Sequence, residues 1–124
     1  MLLLTQYVAR HELGPLQQYL TLDDVLAGAE KVLKGLAVAT KPPRSLSGFR
    51  FYKVRIGALQ SARMIVFVLL GNEKVVPLII RLKKDKLFGA NMAMNNPALV
   101  RQLNSNLDRV LIDIEQKQYQ EFDV

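Results

Sequence analysis

The hydrophobic period of this chain changes twice, and that switch constrains its fold more than any other feature. Leu22, Val25, Leu26, Ala29, Val32, Leu33 and Leu36 recur at i, i+3, i+4, i+7 spacing, which lines one face of an α-helix. The next apolar segments change character. Residues 50–56 alternate, with Tyr52, Val54 and Ile56 on one side and Phe51, Lys53 and Arg55 on the other. Residues 62–70 after Arg63, and 75–83 until Arg81, are almost continuously apolar, as strands covered on both faces are. Helical spacing then returns at Leu99, Val100, Leu103, Leu107, Val110, Leu111 and Ile114.

Local signals place the ends of these elements. Thr21 suits a helix N-cap, because its hydroxyl can accept a bond from an unpaired first-turn N–H. Asp23 and Asp24 fall where the helix dipole favours negative charge, and Leu20 and Val25 can form a hydrophobic staple. This helix is expected over about 22–38, before Lys41-Pro42-Pro43, which cannot continue it. Asn96 and Pro97 provide a cap and a first helical residue for a second helix over about 97–118. The links at 57–61 and 71–73 are short enough for hairpins, so the three strands form an antiparallel meander. The opening apolar residues, through Tyr7-Val8, read as an edge strand. The expected class is α+β: a small antiparallel β-meander with helices packed on one face, as a single domain over residues 1–124.

Composition narrows the chemistry. There is no cysteine and one histidine, His11, so thiol nucleophiles, zinc–thiolate sites and His-rich metal sites are excluded, and no metal or cofactor is expected. Gly57 and Gly71 are isolated, with no phosphate-cradling Gly-rich loop around them. His11 and the carboxylates Asp108, Asp113 and Glu115 read as surface groups, and Met92 and Met94 as core or interface filler. No apolar run approaches the ~20 residues of a membrane helix. Met1-Leu2-Leu3-Leu4 is too short for a signal peptide. A cytoplasmic protein with no membrane partner is the expectation.

Charge is concentrated in the meander. Residues 41–86 carry eleven Lys and Arg against Glu73 and Asp85, a net +9 in a chain whose total is +6, because both flanks are slightly acidic. Such asymmetry suits a polyanion. Side chains two apart on a strand share a face, which pairs Lys53 with Arg55 and Arg81 with Lys83, with Arg63 on the strand between. If these faces coincide, five cations converge within one sheet width, a costly arrangement unless an anion sits there. Arg50, Lys84 and Lys86 extend the basic surface. The alternative is that these are strand-end residues whose charged tips reach solvent.

The same residues resemble a known family. Phe51-Tyr52-Lys53-Val54-Arg55-Ile56-Gly57 resembles the aromatic–basic–apolar–Arg–Ile–Gly strand of RelE/ParE-type bacterial toxins. Ala62-Arg63-Met64-Ile65-Val66-Phe67-Val68 resembles their following strand, and the segment from Val76 to Lys84 their basic-ended third strand. Leu46-Ser47-Gly48 fits the Leu-x-Gly entry to the meander. The resemblance covers roughly residues 22–86. It implies a microbial RNase fold and the toxin of a toxin–antitoxin pair: an endoribonuclease that cleaves mRNA on the ribosome by 2′-hydroxyl attack, without metal. By position Lys53, Arg55, Arg63 and Arg81 match the catalytic basic residues, and Lys83, Lys84, Lys86 and Arg50 are expected to hold RNA phosphates. The implied partners are an acidic antitoxin, mRNA and the ribosome, with a homodimer possible through the C-terminal helix. Many members carry a Tyr or His after the last strand as general acid or base, where this chain has Phe88. The other reading is a non-enzymatic basic binding protein of the same fold, gyrase-inhibitor-like or an inactive toxin. A third is a small assembly protein with a basic face.

Overall fold

A computed structural model describes residues 1–88 and 92–124. The chain begins with strand β1 (Leu2–Thr5). A helical turn α1 (Gln6–Val8) follows, capped by the Thr5 hydroxyl, which accepts from Val8 N–H. It widens to π-helical geometry over Ala9–Leu13 and closes with a tight turn at Gly14–Leu16. Then come α2 (Leu22–Leu33), β2 (Val38–Thr40), β3 (Phe49–Ile56), β4 (Ala62–Leu69), β5 (Lys74–Leu82), α3 (Pro97–Glu115) and β6 (Tyr119–Phe122).

The six strands form one sheet in the order β2-β3-β4-β5-β1-β6. The meander β3–β4–β5 is antiparallel, as the short links required. Its strand bounds lie within about one residue of those expected. The first strand is placed differently: β1 is not an edge but lies parallel to β5, with β6 antiparallel on its other side. Leu2, Leu3 and Leu4 are all buried, which is why the segment reads as unbroken apolarity. The sheet edges are instead β2 and β6, neither of them visible in the hydrophobic pattern.

The helix caps follow local chemistry. Thr21 and Asp24 form a reciprocal capping box on α2, and the Asn96 side chain accepts from Ala98 N–H at the start of α3. Helix α2 stops at Leu33, five residues before its expected end. Gly35 takes φ +75° and lets Leu36 N–H reach back to the Lys31 carbonyl at 2.8 Å, a left-handed stop that needs no proline.

The helices cover both faces of the sheet, not one. Helix α2 lies against Val54, Ile56 and Met64. At Gly28 an added Cβ would stand 2.6 Å from Ile56 Cγ2, so the helix backbone rests directly on the strands. On the opposite face Asn106 of α3 donates to the Leu78 carbonyl and to the Glu12 carboxylate that holds Arg81. The physical reason is β4, whose residues from Ala62 through Phe67 are all buried; two apolar faces need two layers. Across β4, Ile65 pairs with Ile79 and Val66 with Pro77, so Leu78 is the extra residue of a bulge. The bulge accommodates Pro77, which has no N–H for the ladder. Asn106, fully buried, takes up the Leu78 carbonyl at 2.8 Å. Among the described residues no helix is long and apolar enough to cross a membrane.

Candidate functional site

Strand register brings three arginines into one row. Arg55 of β3 stands opposite Arg63 of β4, and Arg63 opposite Arg81 of β5. Residues paired across strands project from the same face, so the three share the side turned away from α2. Their surroundings differ. Arg55 is exposed, and its Nη1 is 3.5 Å from Gln60 Oε1. Arg63 is buried, 5% exposed, and its Nη1 donates to the Gln60 and Ala62 carbonyls at 2.8 and 3.3 Å. Burial, and then the neighbouring Arg55 charge, push its pKa below the ordinary guanidinium value; the group remains a cation at any working pH.

Arg81 meets an internal carboxylate. Its Nε and Nη2 donate to the two oxygens of Glu12 at 3.2 and 3.1 Å. Asp85 stands 3.9 Å from Nη1, and the Phe88 ring lies 5.1 Å from the guanidinium carbon. Glu12 itself is buried and also accepts from Ile80 N–H and Asn106 Nδ2. The two-pronged contact expected for a phosphate is thus made to the chain's own glutamate. Phe88, expected to replace a proton-transferring side chain, packs on this pair. In the sequence Glu12 is only an acidic residue beside Arg10 and His11; the π-helical widening that turns it inward left no local signal.

The other arginines open into a groove. Lys53, Arg55 and Arg63 line a cavity of about 580 Å³ together with Lys31 and Gln60, and among the described residues no carboxylate lines it. Lys31 comes from α2, and its Nζ donates to the Arg55 carbonyl at 3.1 Å. That carbonyl is within reach because β2 pairs with β3 only between Phe51 and Lys53, leaving the Arg55 end of the edge open. Lys31 had no strand pattern to mark it. It becomes a groove residue only because α2 ends beside β3.

The turn at 57–61 separates this groove from a second one. Leu59 and Gln60 both lie in the left-handed region, at φ 56° and 54°, a conformation that costs non-glycine residues roughly 1–2 kcal/mol each. Leu59 is nonetheless fully exposed. Beyond the turn, Tyr19, Leu59, Ser61, Leu82, Lys83 and Lys84 line a cavity of about 600 Å³. The Lys84 ammonium lies 4.7 Å from the Tyr19 ring centroid. Lys83 follows the last residue of β5, and its N–H donates to the Ser61 carbonyl at 2.7 Å, continuing the β4–β5 register by one pair.

Of the eight sequence-predicted cations, Lys53, Arg55 and Arg63 come together, and Lys83 and Lys84 line the neighbouring cavity. Arg81 is in the row but held by Glu12. Lys86 is exposed in the turn after β5. Arg50 pairs with Val68 at the far end of the sheet and projects on the opposite face from Lys53. Asp108 is exposed and bound to Arg44, as a surface carboxylate would be. Asp113 accepts from Tyr7 N–H at 2.7 Å, tying α3 to α1. Met92 is buried, as core filler is. Among the described residues no group of three His, Asp or Glu side chains gathers as metal ligands would. Comparison of the chain with protein-family models, with curated proteins and with solved structures gives no match, so the likeness to RelE/ParE-type toxins rests on the residues quoted for it alone.

Proposed function

We propose that this chain is a toxin-like basic protein that binds the phosphate backbone of single-stranded RNA in the groove of Lys31, Lys53, Arg55 and Arg63. The carrying observation is that these four cations, from α2, β3 and β4, line one open cavity with no carboxylate among the described residues of its lining. Arg55 offers a planar fork to phosphate oxygens. Arg63, desolvated beside it, gains most from an incoming anion. An acidic antitoxin segment would compete for the same charges. The test is the salt dependence of binding to a short oligoribonucleotide. Four phosphate contacts to a single strand give a log–log slope of about −3, and Arg55→Ala should make it shallower by about one contact. A flat slope overturns the reading.

The second reading, an endoribonuclease, is favoured by the adjacency of Arg55 and Arg63 in register. Cleavage would proceed by attack of the 2′-oxygen on phosphorus as its proton passes to solvent water, expulsion of the 5′-oxygen, and protonation of that oxygen by solvent, giving a 2′,3′-cyclic phosphate and a 5′-hydroxyl. Two adjacent guanidinium groups suit the charge that builds on the phosphorane. Loss of either should then lower the bound rate about 100-fold while affinity falls much less. If wild type neither cuts RNA nor arrests growth on induction, this reading fails and the binding reading remains.

A further inference from the structure

We propose that the cavity floored by Tyr19, across the turn at 57–61 from the cationic groove, seats a nucleobase of the same RNA strand, with Lys83 and Lys84 on its flanking phosphate. The proposal rests on the RNA-binding reading of the groove and adds to it a site that reads the base and not only the charge.

Four observations carry it. Tyr19 is half exposed, at 49%, and the Lys84 ammonium lies over the face of its ring. A long flexible lysine can leave that face and turn to a phosphate, so base and phosphate would replace one contact with two. Leu59 and Leu82 supply aliphatic walls, and Leu59 is held fully exposed by left-handed backbone. Strained backbone of this kind clusters at ligand clamps and active sites. Among the described residues of the lining the two charged side chains are both cations, which fits an anionic aromatic ligand. The volume, about 600 Å³, lies in the range of about 300–1,000 Å³ typical of small-ligand sites.

Continuity decides in favour of one strand over a separate ligand. The single turn at 57–61 gives Gln60 to the cationic groove and Leu59 and Ser61 to the Tyr19 cavity. A strand lying in the groove meets Tyr19 as soon as it crosses that turn. Stacking on an aromatic ring is tolerant of base identity, because every base has a π-face. The site should therefore add affinity for nucleic acid over bare polyphosphate without strong sequence preference.

The experiment compares three probes: a short single-stranded oligoribonucleotide, the same oligomer made abasic, and inorganic tripolyphosphate. Tyr19→Ala should weaken the intact oligomer about tenfold, and leave the abasic oligomer and tripolyphosphate unchanged. Tyr19→Phe should bind like wild type. Arg55→Ala should weaken all three. Wild type binding intact and abasic oligomers equally overturns the inference without requiring any variant to fold. Loss at Arg55→Ala with none at Tyr19→Ala also overturns it, and leaves the groove reading standing. Loss at neither position overturns both.

Discussion

Glu12 is a charged group carried into the interior of the fold. It is 3% exposed, and its carboxylate accepts from Ile80 N–H, twice from Arg81 and once from Asn106. A carboxylate with four donors loses little by leaving water, but removing one member strands the others. Glu12→Ala should destabilise the fold by about 3 kcal/mol, the low end for breaking a buried pair, because Arg81 keeps some access to solvent. Urea unfolding measures this; a loss below about 1 kcal/mol would mean that water replaces the carboxylate. The two arginines at the ends of the row should separate cleanly. Arg81→Ala should lower the melting temperature and scarcely touch RNA affinity, whereas Arg55→Ala should do the reverse. A large affinity loss at Arg81 with unchanged melting would restore it to the binding surface.

At the scale of elements, the seam between α2 and the sheet is set by a missing side chain. Gly28 is buried, and a Cβ there would meet Ile56 Cγ2 at 2.6 Å and Met64 Cε at 2.9 Å. Met64 is flexible enough to yield, but the branched Ile56 is stiff on its strand. Gly28→Ala removes a helix-interior glycine, which is worth about 1 kcal/mol to the helix, yet crowds the seam at a cost of roughly 1–3 kcal/mol. The net expectation is a loss near 1 kcal/mol, read from the urea midpoint; a gain would show that the helix can lift off the strands freely. The seam also affects function, because the last turns of α2 carry Lys31 to the Arg55 carbonyl. A lifted helix would withdraw one of the four groove cations, so the variant should also bind RNA more weakly than its stability loss alone implies.

At the scale of the whole molecule, the sheet is completed by pairing β1 and β6, from opposite ends of the sequence. Lys74 of β5 reaches across β1 to Glu121 of β6, with Nζ 2.7 Å from Oε1. That hydrogen bond, with the Glu121 charge, raises the lysine pKa above its ordinary value. A raised folded-state pKa on a base means stabilisation that is complete below the unfolded value, about 10.4, and is lost as pH climbs through the folded one. Wild type and Lys74→Met should therefore differ in melting temperature at neutral pH and converge in strongly alkaline solution. A difference that persists at the highest pH would assign the effect to packing of the lysine stem instead.

The amino-acid sequence alone determined what depends on near neighbours along the chain. Alternation in 50–56 fixes which side Lys53 and Arg55 share, hairpin-length links fix the antiparallel meander, and Thr21 and Asn96-Pro97 fix two helix starts, since capping and side-chain period are local effects. The row from Arg55 to Arg81 was half legible: parity gave the faces, but register between strands decided that the three arginines align. Tertiary structure alone decided the rest. The strand β6 leaves both Gln120 and Glu121 exposed and shows no apolar period, so it exists only because β1 offers an open ladder. Lys31 joins the groove because β2 is too short to cover Arg55, and Arg81 is withheld from it because a widened helical turn points Glu12 inward. Each of these outcomes pairs residues far apart in the chain, and the free energy that selects them, burial of a shared polar contact or completion of a hydrogen-bonded edge, arises only when both partners are in place.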